Sequence, residues 1–152
     1  MKRFHFSEEH LVLQKVKHPF IVKLYWTLQD YSLMNETYFL VLELVQGGTL
    51  FELQSSQPKH RFNKKQTKFY TAEVYLALEH LHSKNIIFRD LKPENVLVTC
   101  IGHIKLTDFG MAKQLLTTEE RHQSILGTPQ FMAPEIIENQ AYTYPVDFLL
   151  DN

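Results

Sequence analysis

From Ile86 to Val98 the chain reads Ile-Ile-Phe-Arg-Asp-Leu-Lys-Pro-Glu-Asn-Val-Leu-Val. Two short apolar runs of strand character bracket Arg89, Asp90, Lys92, Glu94 and Asn95. Charges set this close to buried segments cost free energy unless each has a partner. The stretch is therefore either a Pro-containing turn with solvated charges or a site built around them.

A second stretch, Ile104-Lys105-Leu106-Thr107-Asp108-Phe109-Gly110, weighs for the site, because another apolar strand ends on an acid followed by an aromatic and a glycine. Together the two stretches supply a division of labour. Asp90 is suited to accept a proton from an attacking hydroxyl, and Lys92 to balance charge on a transferred phosphoryl group. Asn95 and Asp108 are hard oxygen ligands of the kind Mg²⁺ takes beside triphosphate oxygens. Gly110 lets the backbone turn sharply after Phe109.

On these residues the chain resembles part of a eukaryotic protein kinase catalytic domain: FRDLKPEN matches the catalytic loop, DFG the metal loop and APE the end of the activation segment. Each motif alone is weak, whereas the set in this order is specific. The resemblance implies an α+β, two-lobed kinase-like fold. Residues 1–45 would be an incomplete small lobe with helix C and the fourth and fifth strands. Residues 46–152 would be a truncated, mainly helical large lobe running from the hinge through helices D and E, the catalytic loop and the activation segment to the start of helix F.

It further implies transfer of the ATP γ-phosphate to Ser or Thr hydroxyls of protein substrates, with ATP and Mg²⁺ as cofactors. Asp90, Lys92, Asn95, Asp108 and Thr128 would be catalytic, with Asn95 and Asp108 on the metal. Leu42 as gatekeeper, backbone groups of Glu43 and Val45, and Thr49, Glu94 and Leu97 would meet the nucleotide. Within the kinases the likeness is to the AGC group, the protein kinase A, G and C families. Thr49 departs from that group, which has an acid there contacting ribose and often a basic substrate residue, so a preference for arginine-rich substrates is not implied. Phe88 stands where most kinases have histidine and AGC members commonly have tyrosine.

The composition excludes other classes. With 152 residues, 44% hydrophobic and a net charge of -1, the chain can bury a core and is not disordered. Near-neutral charge argues against a nucleic-acid binder, which needs a clearly basic face. The basic letters Lys59, His60, Arg61, Lys64, Lys65 and Lys68 read as a solvated helix start, and His80 and His82, two apart on a helix, do not face one another as a metal pair would. Cys100 is the only cysteine, which fits a reducing compartment. No stretch has the length of a membrane span, and the expectation is a cytoplasmic protein, with the nucleus also open.

Ser7 as N-cap and an apolar face of Leu11, Val12, Leu13 and Val16 predict a helix from about Ser7 to Lys17, ended by His18-Pro19. In the resemblance this is helix C, and Glu9 is the glutamate that pairs with a lysine on an upstream strand. The chain is expected to lack that lysine and the Gly-rich phosphate loop, since only eight residues precede Glu9. Residues 21–29 and 38–44 read as strands joined by a polar loop at Tyr31, Ser32, Asn35 and Glu36. A capping box at Asn63 to Gln66 opens a long helix to about His82.

Asp108 to Glu135 would be the activation segment, polar and without periodicity at its middle. By resemblance Ser124 is a phosphosite for an upstream activating kinase, with Arg89, Lys113 and His5 as the cations around the phosphate. Thr128 would hydrogen-bond Asp90 and Lys92, and Asp147 would anchor the catalytic-loop backbone. Phe88, Phe109, Leu13 and Leu24 would form a hydrophobic spine. The rival reading is a noncatalytic pseudokinase or truncated product that acts as a binding scaffold.

Overall fold

The computed structural model describes residues 2–30, 37–117 and 120–148. The expected loop at Tyr31, Ser32, Asn35 and Glu36, and Thr118 and Glu119 of the activation segment, lie outside the described residues.

Helix α1 spans Lys2–Lys15. It starts earlier than the Ser7 cap predicts: no Pro or Gly interrupts Lys2 to Phe6, so the helix continues through Ser7, and Glu8 and Glu9 fall in its second turn. Val12, Leu13 and Val16 are buried. Strands β1 (Leu24–Asp30) and β2 (Thr37–Leu42) pair antiparallel. They are shorter than predicted at their outer ends. Ile21 instead makes a parallel bridge to Leu106, reinforced by Val22 N–H donating to the Leu106 carbonyl at 2.9 Å.

Helix α2 (Leu50–Ser55) follows a short connection, and α3 covers Lys64–His82. The expected capping box is present: Asn63 Oδ1 accepts from the Lys65 and Gln66 N–H groups, and Gln66 Oε1 accepts from Asn63 N–H. Val74, Ala77, Leu78 and Leu81, spaced i, i+3, i+4, i+7, form the buried face of α3. Glu73 lies on the same side at 5% exposure. Its Oε2 accepts the Ile104 N–H at 2.9 Å and its Oε1 meets His103 Nδ1 at 2.5 Å.

The remaining strands are short: β3 (Ile86–Ile87), β4 (Val96–Val98), β5 (Ile104–Leu106) and β6 (Lys113–Gln114). β4 pairs with β5 as a hairpin in the register Val96↔Leu106, and β3 pairs with β6 in the register Ile86↔Gln114. The last helix, α4, is Pro134–Ile137, and Tyr144–Asp147 is a 3₁₀ turn. The main core joins α1, α3, β3, β4 and β5, and includes Leu13, Phe88 and Phe109 with Leu24 packed at its edge. Phe88 and Phe109 meet edge to face at 5.2 Å, a geometry aromatic pairs favour. Among the described residues no helix is long and apolar enough to cross a membrane.

Candidate active site

The β4–β5 hairpin and the β3–β6 pair bring the charged stretches together. Asn95 lies in the 3₁₀ turn Pro93–Asn95 just before β4, and its carbonyl accepts the Thr107 N–H at 3.0 Å, so Asp108 begins one residue from Asn95's backbone partner. Asn95 Nδ2 donates both to the Asp90 carbonyl at 2.9 Å and to Asp90 Oδ2 at 2.8 Å. This spends the amide nitrogen and leaves Asn95 Oδ1 as an acceptor.

Asp90 is 7% exposed and gathers four donors. Lys92 Nζ donates to Oδ2 at 2.8 Å, beside Asn95. On Oδ1 it accepts the Thr128 N–H at 3.1 Å and the Thr128 hydroxyl at 2.7 Å. That hydroxyl in turn accepts from Lys92 Nζ at 2.8 Å, closing a ring of three side chains. A buried carboxylate is tolerated only with such pairing.

Two residues at the site hold left-handed backbone conformations uncommon outside glycine: Arg89 at φ 70° and Asp108 at φ 60°. Arg89 is fixed by a distant acid and Asp108 by its own side chain. Asp147, 2% exposed, accepts the Phe88 N–H at 2.8 Å and the Arg89 N–H at 2.7 Å. Its Oδ2 also meets His82 Nε2 at 2.8 Å, a contact the sequence reading missed. Asp108 caps the turn Phe109–Met111 through Oδ1, which accepts the Gly110 N–H at 3.3 Å. Its side chain is exposed, and Oδ2 receives no donor among the described residues.

Glu9 lies on α1, which packs against the Phe109–Met111 turn. Burial and, next, the charge of Asp108 hold the Glu9 carboxyl above the usual carboxylate range, with the Phe109 N–H opposing them.

The connection after β2 lies along β4. Leu42 ends β2 and packs on the main core. Glu43 donates its N–H to the Lys23 carbonyl at 2.8 Å, and its carboxylate pairs with Lys105 at 2.9 Å. Gly47 donates its N–H to the Val98 carbonyl, Val98 donates to the Gly48 carbonyl, and Thr49 bridges to Leu97. Glu43, through Lys105, and Thr49 therefore both meet the β4–β5 pair at Leu97, with Val45 in the connection between them. Glu94, in the turn before β4, is exposed. The Thr49 hydroxyl accepts the Glu52 N–H at 3.1 Å as the N-cap of α2.

Around Ser124 the structure departs from expectation. Arg89 Nη1 donates to Ser124 Oγ at 3.3 Å and to the Tyr142 hydroxyl at 3.4 Å, while its Nε donates to the Met111 carbonyl at 2.6 Å. Lys113 does not touch Ser124: its Nζ pairs with Glu8 Oε1 at 2.5 Å. The His5 side chain lies outside the described residues. Tyr142, 3% exposed and unforeseen, holds Ser124 through both Oγ at 2.9 Å and the carbonyl at 3.2 Å.

Comparison with known proteins agrees with this geometry. The protein kinase domain family matches residues 1–149. The chain is 44% identical over 142 residues to serine/threonine-protein kinase Sgk2 of Rattus norvegicus, covering 93% of this chain and 37% of that protein. It is 42% identical to the cAMP-dependent protein kinase catalytic subunit PRKX of Homo sapiens, covering 95% and 38%. It is 44% identical to cAMP-dependent protein kinase type 3 of Saccharomyces cerevisiae, covering 95% and 34%. The chain thus spans little more than a third of the length of these relatives, which are serine/threonine kinases of the AGC group. The ring of Asp90, Lys92 and Thr128, the neighbouring Asn95 and Asp108, and this match across nearly all of its residues place the chain in the protein kinase domain family.

Proposed function

We propose that this chain carries the phosphoryl-transfer centre of a protein serine/threonine kinase, using ATP and Mg²⁺ to phosphorylate Ser or Thr hydroxyls of protein substrates. The observation that carries the reading is the Asp90 carboxylate, buried yet held by Lys92, Asn95 and Thr128 beside the Asp108 turn.

Asn95 Oδ1 and the outward Asp108 carboxylate are the atoms that fit Mg²⁺. Bound there, Mg²⁺ supplies charge neutralisation for the triphosphate. The connection from Leu42 to Thr49, with Leu97 and Glu94, is the side for the base and sugar, with the Glu43 carbonyl and Val45 backbone facing the adenine edge. An acceptor hydroxyl displaces one of the donors on Asp90 and hands it its proton as the hydroxyl oxygen bonds to the γ-phosphorus. The bond from that phosphorus to the β–γ bridging oxygen breaks, and ADP leaves with the electron pair. The Lys92 ammonium, within reach of both Asp90 and Thr128, balances charge on the phosphoryl group in flight.

Ser124 belongs to the same reading as a regulatory phosphosite, since it sits on the guanidinium of the residue next to Asp90. Phosphoryl transfer from ATP to Ser- and Thr-containing peptides tests the activity, with Asp90→Asn as comparison. Loss of the proton acceptor should cost at least about a hundredfold, and equal rates would reject the assignment.

A noncatalytic scaffold is the second reading. It is favoured by Glu9, whose carboxyl is held above the usual carboxylate range by burial and then by the charge of Asp108, a setting that disfavours the ionised form a cationic partner needs. ATP with Mg²⁺ should raise the melting temperature of the chain if the centre binds nucleotide, and no shift at saturating nucleotide would favour the scaffold.

A further inference from the structure

We propose that His122 is a ligand for the phosphoryl group on Ser124, paired with Arg89 to form a two-cation clamp. This rests on the reading of Ser124 as a phosphosite. A phosphoserine carries about -1.5 to -2 charge near neutral pH and three acceptor oxygens, more than one guanidinium nitrogen can satisfy. Of the cations expected around Ser124, Arg89 touches its hydroxyl and Lys113 pairs with Glu8, while the His5 side chain lies outside the described residues.

The backbone places His122 to fill the gap. His122 and Tyr142 form an antiparallel bridge, exchanging N–H to carbonyl bonds at 2.9 and 2.8 Å. Burial alternates along this stretch, with Arg121, Gln123 and Ile125 exposed and His122 and Ser124 half-buried, so His122 and Ser124 lie on one side of the chain. Both touch one residue: the His122 ring meets the Tyr142 ring edge to face at 5.7 Å, and Ser124 Oγ lies 2.9 Å from the Tyr142 hydroxyl. Imidazole and serine thus share one phenol as neighbour. A phosphoryl group on Oγ would grow from the point where the Arg89 guanidinium and the Tyr142 hydroxyl already meet Ser124, with the His122 ring packed on the same tyrosine.

The surrounding charges give the consequence its sign. Burial and then the positive charges of Arg89 and Lys113 hold His122 below an ordinary imidazole, while Glu8 and Glu120 pull it upward. These four charges act on the ring, which packs edge to face on Tyr142. A dianion placed among them reverses the balance and favours the imidazolium. Once raised, the folded pKa contributes stability that is full below the unfolded pKa and lost as pH rises through the folded one. The clamp is therefore strongest in mildly acidic solution.

The test is the 152-residue chain carrying genetically encoded phosphoserine at 124, compared with Ser124 and with His122→Gln in both forms. NMR titration of the imidazole should show the His122 pKa rising by about one unit or more on phosphorylation, a tenfold change in proton affinity. The melting-temperature gain from phosphoserine should be larger at pH 6 than at pH 8.5, and His122→Gln should remove that difference. His122→Gln without phosphate, melting where the Ser124 form melts, shows that the variant folds. If phosphoserine stabilises the chain but the His122 titration does not move, the ligand role is wrong and the Arg89–Ser124 reading stands. If phosphoserine gives no stabilisation at either pH, the regulatory reading falls and the clamp with it.

Discussion

Asp147 accepts the backbone N–H of Arg89 at 2.7 Å although 58 residues separate them in the chain. The same carboxylate takes the Phe88 N–H and His82, so one buried acid holds the start of the loop that carries Asp90. Removing it leaves buried donors without acceptors, each costing about 1–3 kcal/mol. Asp147→Ala should therefore destabilise the chain by about 3 kcal/mol or more, read as a lower urea midpoint at unchanged slope. A change under about 1 kcal/mol would mean that the loop is held by its strand neighbours instead.

His18 and His80 stack at 5.0 Å, and His80 Nε2 is buried with no hydrogen-bond partner. Burial lowers both imidazoles, with the His80 charge and then Lys105 lowering His18 further, and Lys84 lowering His80. A folded pKa below the ordinary value of about 6.5 leaves stability whole above that pH. Stability then declines as pH falls toward the folded pKa, because the unfolded chain takes up the proton first. His80→Phe keeps a ring in the stack without the unpaired nitrogen. It should raise the melting temperature more at pH 5.5 than at pH 8, and parallel pH profiles for the two proteins would contradict the assignment.

Much of this arrangement was legible in the sequence because it is local or carried by motif spacing. The capping box at Asn63 set the start of α3, and the letters around Asp90 and Asp108 marked the strand ends where the charges sit. The start of α1 was misjudged because a good capping letter, Ser7, does not stop a helix whose upstream residues can also be helical. The pair of Lys113 with Glu8, 105 residues away, is not legible in the sequence, because such pairings leave no trace in neighbouring letters. Glu73 left one signal: a carboxylate on the same helical side as Val74, Ala77, Leu78 and Leu81 must find a donor.

That donor is chiefly the Ile104 N–H. Glu73→Ala should cost about 1–3 kcal/mol by leaving it unpaired. Glu73→Gln, which keeps an acceptor oxygen, should recover more than half of the loss in thermal unfolding. Equal losses for the two variants would show that charge on the His103 side dominates.

Gly47 runs against β4 so closely that an added Cβ would lie 2.2 Å from the Val98 carbonyl oxygen. Backbone cannot yield as a flexible side chain does, and overpacking of this kind costs about 1–3 kcal/mol. Gly47→Ala should lower the melting temperature by several degrees, with roughly 2–4 °C lost per kcal/mol for a chain of this size. An unchanged melting temperature would show that the connection can lift off β4 freely.

Arg89 joins three distant stretches at once: its N–H is tied to Asp147, its carbonyl is the atom that a side chain at Gly127 would strike, and its guanidinium touches Met111 and Ser124. Asp90 is its immediate neighbour. On the proposed reading, a phosphate at Ser124 would meet the side chain of the residue immediately before Asp90, so the regulatory and the proton-accepting groups would be only one peptide link apart.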